Sequence, residues 1–79
     1  SQSDNTIYLN SYVIDKNGEI NLPVVGKVNL EGLTVEQAQS AIQGKVDNYV
    51  QGAVVSCKMV NYKISVLGEV NRPGTYTFF

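Results

Sequence analysis

There is no histidine in this chain and only one cysteine, Cys57. Histidine is the usual general base near neutral pH and a common metal ligand, so its absence takes away support for a nucleophile–base triad and for most zinc sites. Cys57 has no partner for an internal disulfide. Lying between Ser56 and Lys58 in AVVSCKMVNY, it reads as a buried or half-buried strand residue rather than a nucleophile. Glu19, Glu31, Glu36 and Glu69 supply carboxylates, but no two share a sequence context that suggests a common cleft, as glycoside hydrolysis requires. A phosphate-cradling loop is missing as well. The expectation is a protein that is not an enzyme and that uses no cofactor and no metal.

Charge is scarce and balanced. Six basic residues stand against seven acidic ones, for a net charge of -1, which gives no basic footprint for nucleic acid and no polybasic strip for anionic lipid. The apolar runs are only a few residues long, far from the roughly 20 needed to cross a bilayer, so the chain itself is not expected to insert in a membrane.

What is present suits one small folded unit. At 79 residues and 43% hydrophobic content the chain has the makings of a core, although a domain of this size buries only about 60% of its unfolded surface. Ser1 to Thr6 is polar and without a packing face, and is expected to be disordered or an appended remnant. From Ile7 to Ile14 apolar Ile7, Leu9 and Val13 alternate with Tyr8, Asn10 and Tyr12, predicting a strand. Asp15-Lys16-Asn17-Gly18 then reverses the chain, and Asn-Gly between two apolar runs predicts a β-hairpin whose second arm begins at Glu19–Leu22. Pro23 makes that arm an edge strand or breaks it; Gly26 marks a bend, and Lys27 to Leu30 is a short extended stretch.

A helix follows with clear start signals. Thr34 is an N-cap, Gln37 completes a capping box, and Leu33 can staple onto Ala38. Val35, Ala38, Ile42, Val46 and Tyr49 recur at helical spacing along one face, leaving Glu36, Gln39, Gln43 and Asp47 for solvent, and Gly52 suits the C′ position. Ala53 to Tyr62 then predicts a strand, and Asn61-Tyr62-Lys63 is a turn, a bulge or an uninterrupted continuation into Ile64. ISVLGEV predicts a further strand, and Arg72 to Thr75 fits a type II turn, with Pro73 at its second position and Gly74 at its third. The YTFF that follows opens another strand that the sequence cuts short, as in an excised piece of a larger protein.

The order β-hairpin, helix, strand, strand predicts an α+β fold, a small mostly antiparallel sheet with one amphipathic helix packed on it. A seam near Tyr62 to Ile64 is the plausible domain boundary.

GEINLPVVGKVNLEGLTVEQAQSAI, then a strand, then VLGEVNRPGTY, resembles the bacterial outer-membrane polysaccharide export family over about Tyr12 to Phe78. The matching elements are the Asn-Gly turn at Lys16 to Glu19, Leu-Pro-Val-x-Gly at Leu22 to Gly26, Gly-Leu-Thr-x-x-Gln-Ala at Gly32 to Ala38, and Gly-Glu-Val-x-x-Pro-Gly at Gly68 to Gly74. Each is a generic turn or cap alone; their order and spacing carry the resemblance. The extended tyrosine-to-Gly-Asp segment usual before the first turn is replaced here by DNTIYLNSYVI.

The resemblance implies residues 7–62 as a poly-export-like periplasmic domain and 63–79 as the truncated first hairpin of a soluble-ligand-binding β-grasp (SLBB) domain, packed on the preceding one. It also implies a lipoprotein at the periplasmic face of the Gram-negative outer membrane, a non-enzymatic structural or conduit component that forms an oligomeric ring in its full-length form. Its partners would be a capsular polysaccharide or exopolysaccharide and an inner-membrane polysaccharide co-polymerase or kinase. On that reading Asn10, Lys58, Asn61, Lys63, Asn71 and Arg72 are candidates for glycan contact or a subunit interface. Tyr8, Tyr12, Tyr49, Tyr62 and Tyr76 are expected to pack in sheet and helix rather than to stack on sugars. The piece taken alone is expected to be monomeric. The alternative is a generic β-grasp module that binds a small molecule or glycan.

Overall fold

The computed structural model describes the backbone of residues 3–73 and the side chains of residues 9–70. One helix and five strands occur in the order β1 (Ser3–Val13), β2 (Glu19–Leu22), β3 (Gly26–Asn29), α1 (Val35–Asp47), β4 (Ala53–Val60) and β5 (Lys63–Pro73). The class is α+β, as the sequence predicts. The strands form two antiparallel sheets, a three-stranded one in the order β1-β5-β4 and the two-stranded β2-β3.

The expected pairing of the first strand is corrected. β1 and β2 do not form a hairpin: β1 runs antiparallel to β5 from Ser3↔Pro73 to Val13↔Lys63, while β2 pairs with β3. The turn at Asp15–Gly18 does form, but as a corner between sheets. Asp15 Oδ1 accepts from the Asn17 N–H at 2.8 Å and from the Glu19 N–H at 2.9 Å, so the donor at the start of β2 is already taken by a side chain. The Ile14 N–H bonds across to the Tyr62 carbonyl at 2.8 Å, and the Leu30 N–H bonds to the Gly18 carbonyl at 2.7 Å. Gly18 adopts φ 77° and lies so close to Glu31 that a Cβ there would fall 2.6 Å from the Glu31 Cβ. The start is corrected too: β1 begins at Ser3 rather than Ile7.

The core lies between the two sheets. Ile20, Leu22, Val28 and Leu30 face Ala38 and Ile42 of the helix and Val55 and Ile64 of the larger sheet. Ile20, Ile42 and Ile64 are essentially fully buried, each contributing about 1.5–3 kcal/mol by removal from water. The helix begins as the sequence predicts, with the Gln37 N–H bonded to Thr34 Oγ1 and the Thr34 N–H bonded to Gln37 Oε1. Its end differs. Asn48 is the C-cap, its N–H turned back to the Lys45 and Val46 carbonyls. Gly52, with φ 77°, therefore serves the turn into β4 rather than the helix C′ position, and Tyr49 lies beyond the helix and is 56% exposed.

Gln39 and Gln43 are not left to solvent. The Gln43 side chain donates to the Ala53 carbonyl at 2.8 Å and accepts from the Val55 N–H at 2.9 Å, and Gln39 accepts from the Cys57 N–H at 2.9 Å. Two side-chain amides thus occupy the places a neighbouring strand's peptide groups would take along β4. Strand edges left unpaired are templates for pairing with other chains, and this one is covered.

The turns at the two hairpin ends account for both non-glycine residues with positive φ among those described. In β2–β3 the Val25 N–H bonds to the Pro23 carbonyl at 2.6 Å across Val24, whose φ is 68°, a γ-turn centred on a β-branched residue. In β4–β5 the loop is Asn61-Tyr62 between the paired Val60 and Lys63. Positive φ falls on Asn61 (57°) and not on Tyr62, the pattern of a type II′ turn. The segment the sequence leaves open is therefore a tight turn. The type II turn expected at Arg72 to Thr75 and the strand expected at YTFF fall wholly or partly outside the described residues.

Candidate functional site

The three-stranded sheet has one covered face and one bare face. Ile64, Val66 and Val70 of β5, with Val55 and Cys57 of β4 and Tyr12 of β1, turn toward the helix and the β2–β3 hairpin and are buried or half-buried. The opposite face carries Leu9, Val13, Val54 and Val60, all more than 60% exposed, interspersed with Ser11, Lys58, Lys63, Ser65 and Glu69.

At the hairpin end of the bare face lies a shallow depression of about 400 Å³. Asn61, Tyr62 and Lys63 form its rim from the turn, and Val13 and Val60 flank them on the outer strands. Its floor holds Ser11 and Ser65, whose hydroxyls are 3.0 Å apart. Lys58 is directly opposite Ser65 in the β4–β5 register, two pairs along from Val60↔Lys63, so the two lysines are diagonal neighbours on the same face. Tyr62 is 80% exposed. Its position is fixed by the tight turn and by the Ile14 N–H bond to its carbonyl.

Of the polar residues singled out in the sequence, Asn61 and Lys63 line this depression, and Lys58 lies beside it on the same face without lining it. Asn10 is on the other face, where it lines the apolar groove described below. Asn71 and Arg72 pair in register with Asn5 and Asp4 at the far end of β5, on the order of 25 Å from Lys63 at about 3.3 Å per residue. Sequence reasoning assigned Tyr62 to packing, and the structure overturns this, as it does for Tyr49. A tyrosine in the loop of a two-residue hairpin has no sheet to pack in, and the loop length is set by the Val60↔Lys63 pairing. Tyr12, by contrast, is half-buried against the core.

A second cavity, of about 470 Å³, is an open apolar groove between the covered sheet face, the β2–β3 turn and the end of α1. Leu22, Val24, Val46, Val50 and Val66 are among its walls, and Asn10, Tyr12 and Tyr49 are the lining residues with polar side-chain atoms. Cys57 is half-buried, and burial pushes its thiol up from the ordinary range, away from the nucleophilic thiolate. No cluster of histidine, cysteine, aspartate and glutamate suited to a metal ion occurs among the described residues, and no helix there is long and apolar enough to cross a membrane.

The described residues thus form a small α+β unit with one bare sheet face of mixed polar and apolar side chains. Residues 1–60 match the polysaccharide biosynthesis/export protein family. The chain belongs to that family, which handles polysaccharide export. No curated protein and no solved structure matches the chain.

Proposed function

We propose that the chain is a non-enzymatic structural element of a polysaccharide export translocon, working at the periplasmic face of the outer membrane. The observation that carries this reading is the family match over residues 1–60. A passage for a hydrated polymer needs a rigid frame and many weak contacts rather than bond-making chemistry. The frame is the long β1–β5 pairing held to the helix, and the contacts are those of the bare sheet face. In the full-length protein this unit would repeat around a ring, anchored by lipid, facing an inner-membrane co-polymerase or kinase and followed by an SLBB domain whose first hairpin, residues 63–79, would pack on this unit through β5. The polymer would be a capsular polysaccharide or an exopolysaccharide. Deleting the coding segment in its host is expected to abolish surface polymer while lipid-linked or periplasmic polymer accumulates. Loss of polymer synthesis without accumulation, or undiminished surface polymer, would overturn the reading.

A second reading is supported by the apolar groove. Its volume and its few polar groups lie within the range of small-ligand sites, which suits a module that binds a small molecule. Saturable binding of an apolar small molecule, abolished by Val46→Asp with the fold intact, would favour it.

A further inference from the structure

We infer that the depression at the β4–β5 hairpin end is a binding site for acidic sugar units, with Tyr62 as the stacking platform and Lys58 and Lys63 as the carboxylate-reading groups. This rests on the polysaccharide reading above and names the chemistry of the unit recognised.

An aromatic ring 80% exposed at the tip of a loop ordinarily costs solvation without return. Here the ring is held out by a type II′ turn that needs positive φ at Asn61, and its backbone is fixed by a bond from Ile14 at 2.8 Å. A backbone already fixed leaves only the side-chain torsions to be ordered when a ligand lands on the ring. Sugars present an apolar C–H face and a polar rim. The ring of Tyr62 with Val13 and Val60 beside it fits the former, and Asn61 with the Ser11–Ser65 hydroxyl pair fits the latter. Lys58 and Lys63 lie on the same face as diagonal neighbours, and Glu69, opposite Val54, is four residue pairs along the sheet from Lys58↔Ser65. The charge next to the platform is therefore positive in a chain whose net charge is -1. A carboxylate or phosphate substituent on a bound sugar would meet two ammonium groups and form charge-assisted hydrogen bonds.

The test is an NMR titration of the 79-residue chain with an oligogalacturonate and with a neutral malto-oligosaccharide of equal length. Saturable shifts at Asn61, Tyr62, Lys63 and Ser65 are expected with the uronate, at an affinity about tenfold above that for the neutral sugar. Tyr62→Ala should weaken both by about tenfold. Lys58→Gln with Lys63→Gln should leave neutral binding in place and erase the preference for the acid. Equal binding of the two sugars by the unaltered chain, or wild-type binding by Tyr62→Ala, overturns the proposal. So do shifts that map elsewhere, or no shifts with either probe. None of these bears on the accumulation of polymer in the deletion strain, so the two readings fail separately.

Discussion

The β2–β3 hairpin buries Ile20, Leu22 and Val28 beneath the helix and meets solvent at its tip, Val24, whereas β4–β5 buries Val55 and Ile64 on one face and leaves its other face bare from Val54 to Tyr62. Both tips carry a non-glycine residue at positive φ and a large apolar side chain at least 80% exposed, Val24 in one and Tyr62 in the other. They differ in how the backbone tolerates this. Asn61 belongs to the residues that tolerate positive φ better than most, and it leaves Tyr62 free to keep ordinary dihedrals; Val24 is β-branched and takes the strained conformation itself. One hairpin is thus a core element whose β-branched tip carries the positive φ, and the other is the mount of a surface whose positive φ falls on a more tolerant asparagine.

The largest effect should separate the two by burial. Ile20→Ala is expected to destabilise by about 2–5 kcal/mol in chemical denaturation, while Leu9→Ala on the bare face should remain within about 0.5 kcal/mol. A cost above about 1.5 kcal/mol for Leu9→Ala would mean that the face is not bare, and the comparison would break. Next comes the helix seam on β4. Gln43→Ala removes bonds to the Ala53 carbonyl and Val55 N–H; it should cost about 1–2 kcal/mol and speed amide exchange at Val55, while unchanged exchange there would show that water or a neighbour replaces the glutamine.

The tips themselves give an opposite pair. Val24→Gly should be neutral or stabilise by up to about 2.5 kcal/mol, because the strain relieved is of order 1–3 kcal/mol and the added chain entropy of glycine is about 0.5–1 kcal/mol. Asn61→Val should destabilise by about 1–2 kcal/mol. Thermal unfolding of both variants decides it, and destabilisation by Val24→Gly would show that the γ-turn is not strained. The smallest effect is a pH dependence. The Glu19 and Asn17 N–H groups hold the Asp15 carboxyl below its ordinary 3.8, the Glu19 bond foremost, so folding favours the charged form. That contribution is present above the unfolded value and is lost as pH falls through the lower folded value. Asp15→Asn should therefore flatten the acid limb of stability below about pH 4, and an unchanged limb would remove Asp15 from the account.

The helix start and the individual strands were legible in the sequence because each depends on neighbours in the chain: Thr34 and Gln37 cap each other, and alternation marks a strand wherever one face is buried. Pairing was not legible. Asn17-Gly18 reads as a hairpin loop, yet the Asp15 carboxylate takes the first donor of β2, and the eleven-residue β5 offers β1 a full-length partner where β2 offers four residues. The glutamines were missed for a related reason. Polar residues on a helix read as solvent-facing unless the element beside them is known, and what they satisfy is the backbone of a strand some ten to eighteen residues away. In the candidate site the lysines and Asn61 were recognisable as polar strand and turn residues. Tyr62 was not, because its exposure follows from a loop two residues long, a length that the sequence left undecided.

The glutamine contacts along β4 also give the sheet a direction. Over Ala53–Cys57 the helix side chains fill the places of a fourth strand, and among the described residues no strand lies beyond β1. A sheet closed on one side and open on the other can be extended only once: an added strand would arrive beside β1, and two molecules joined through that edge would leave no second edge for further growth.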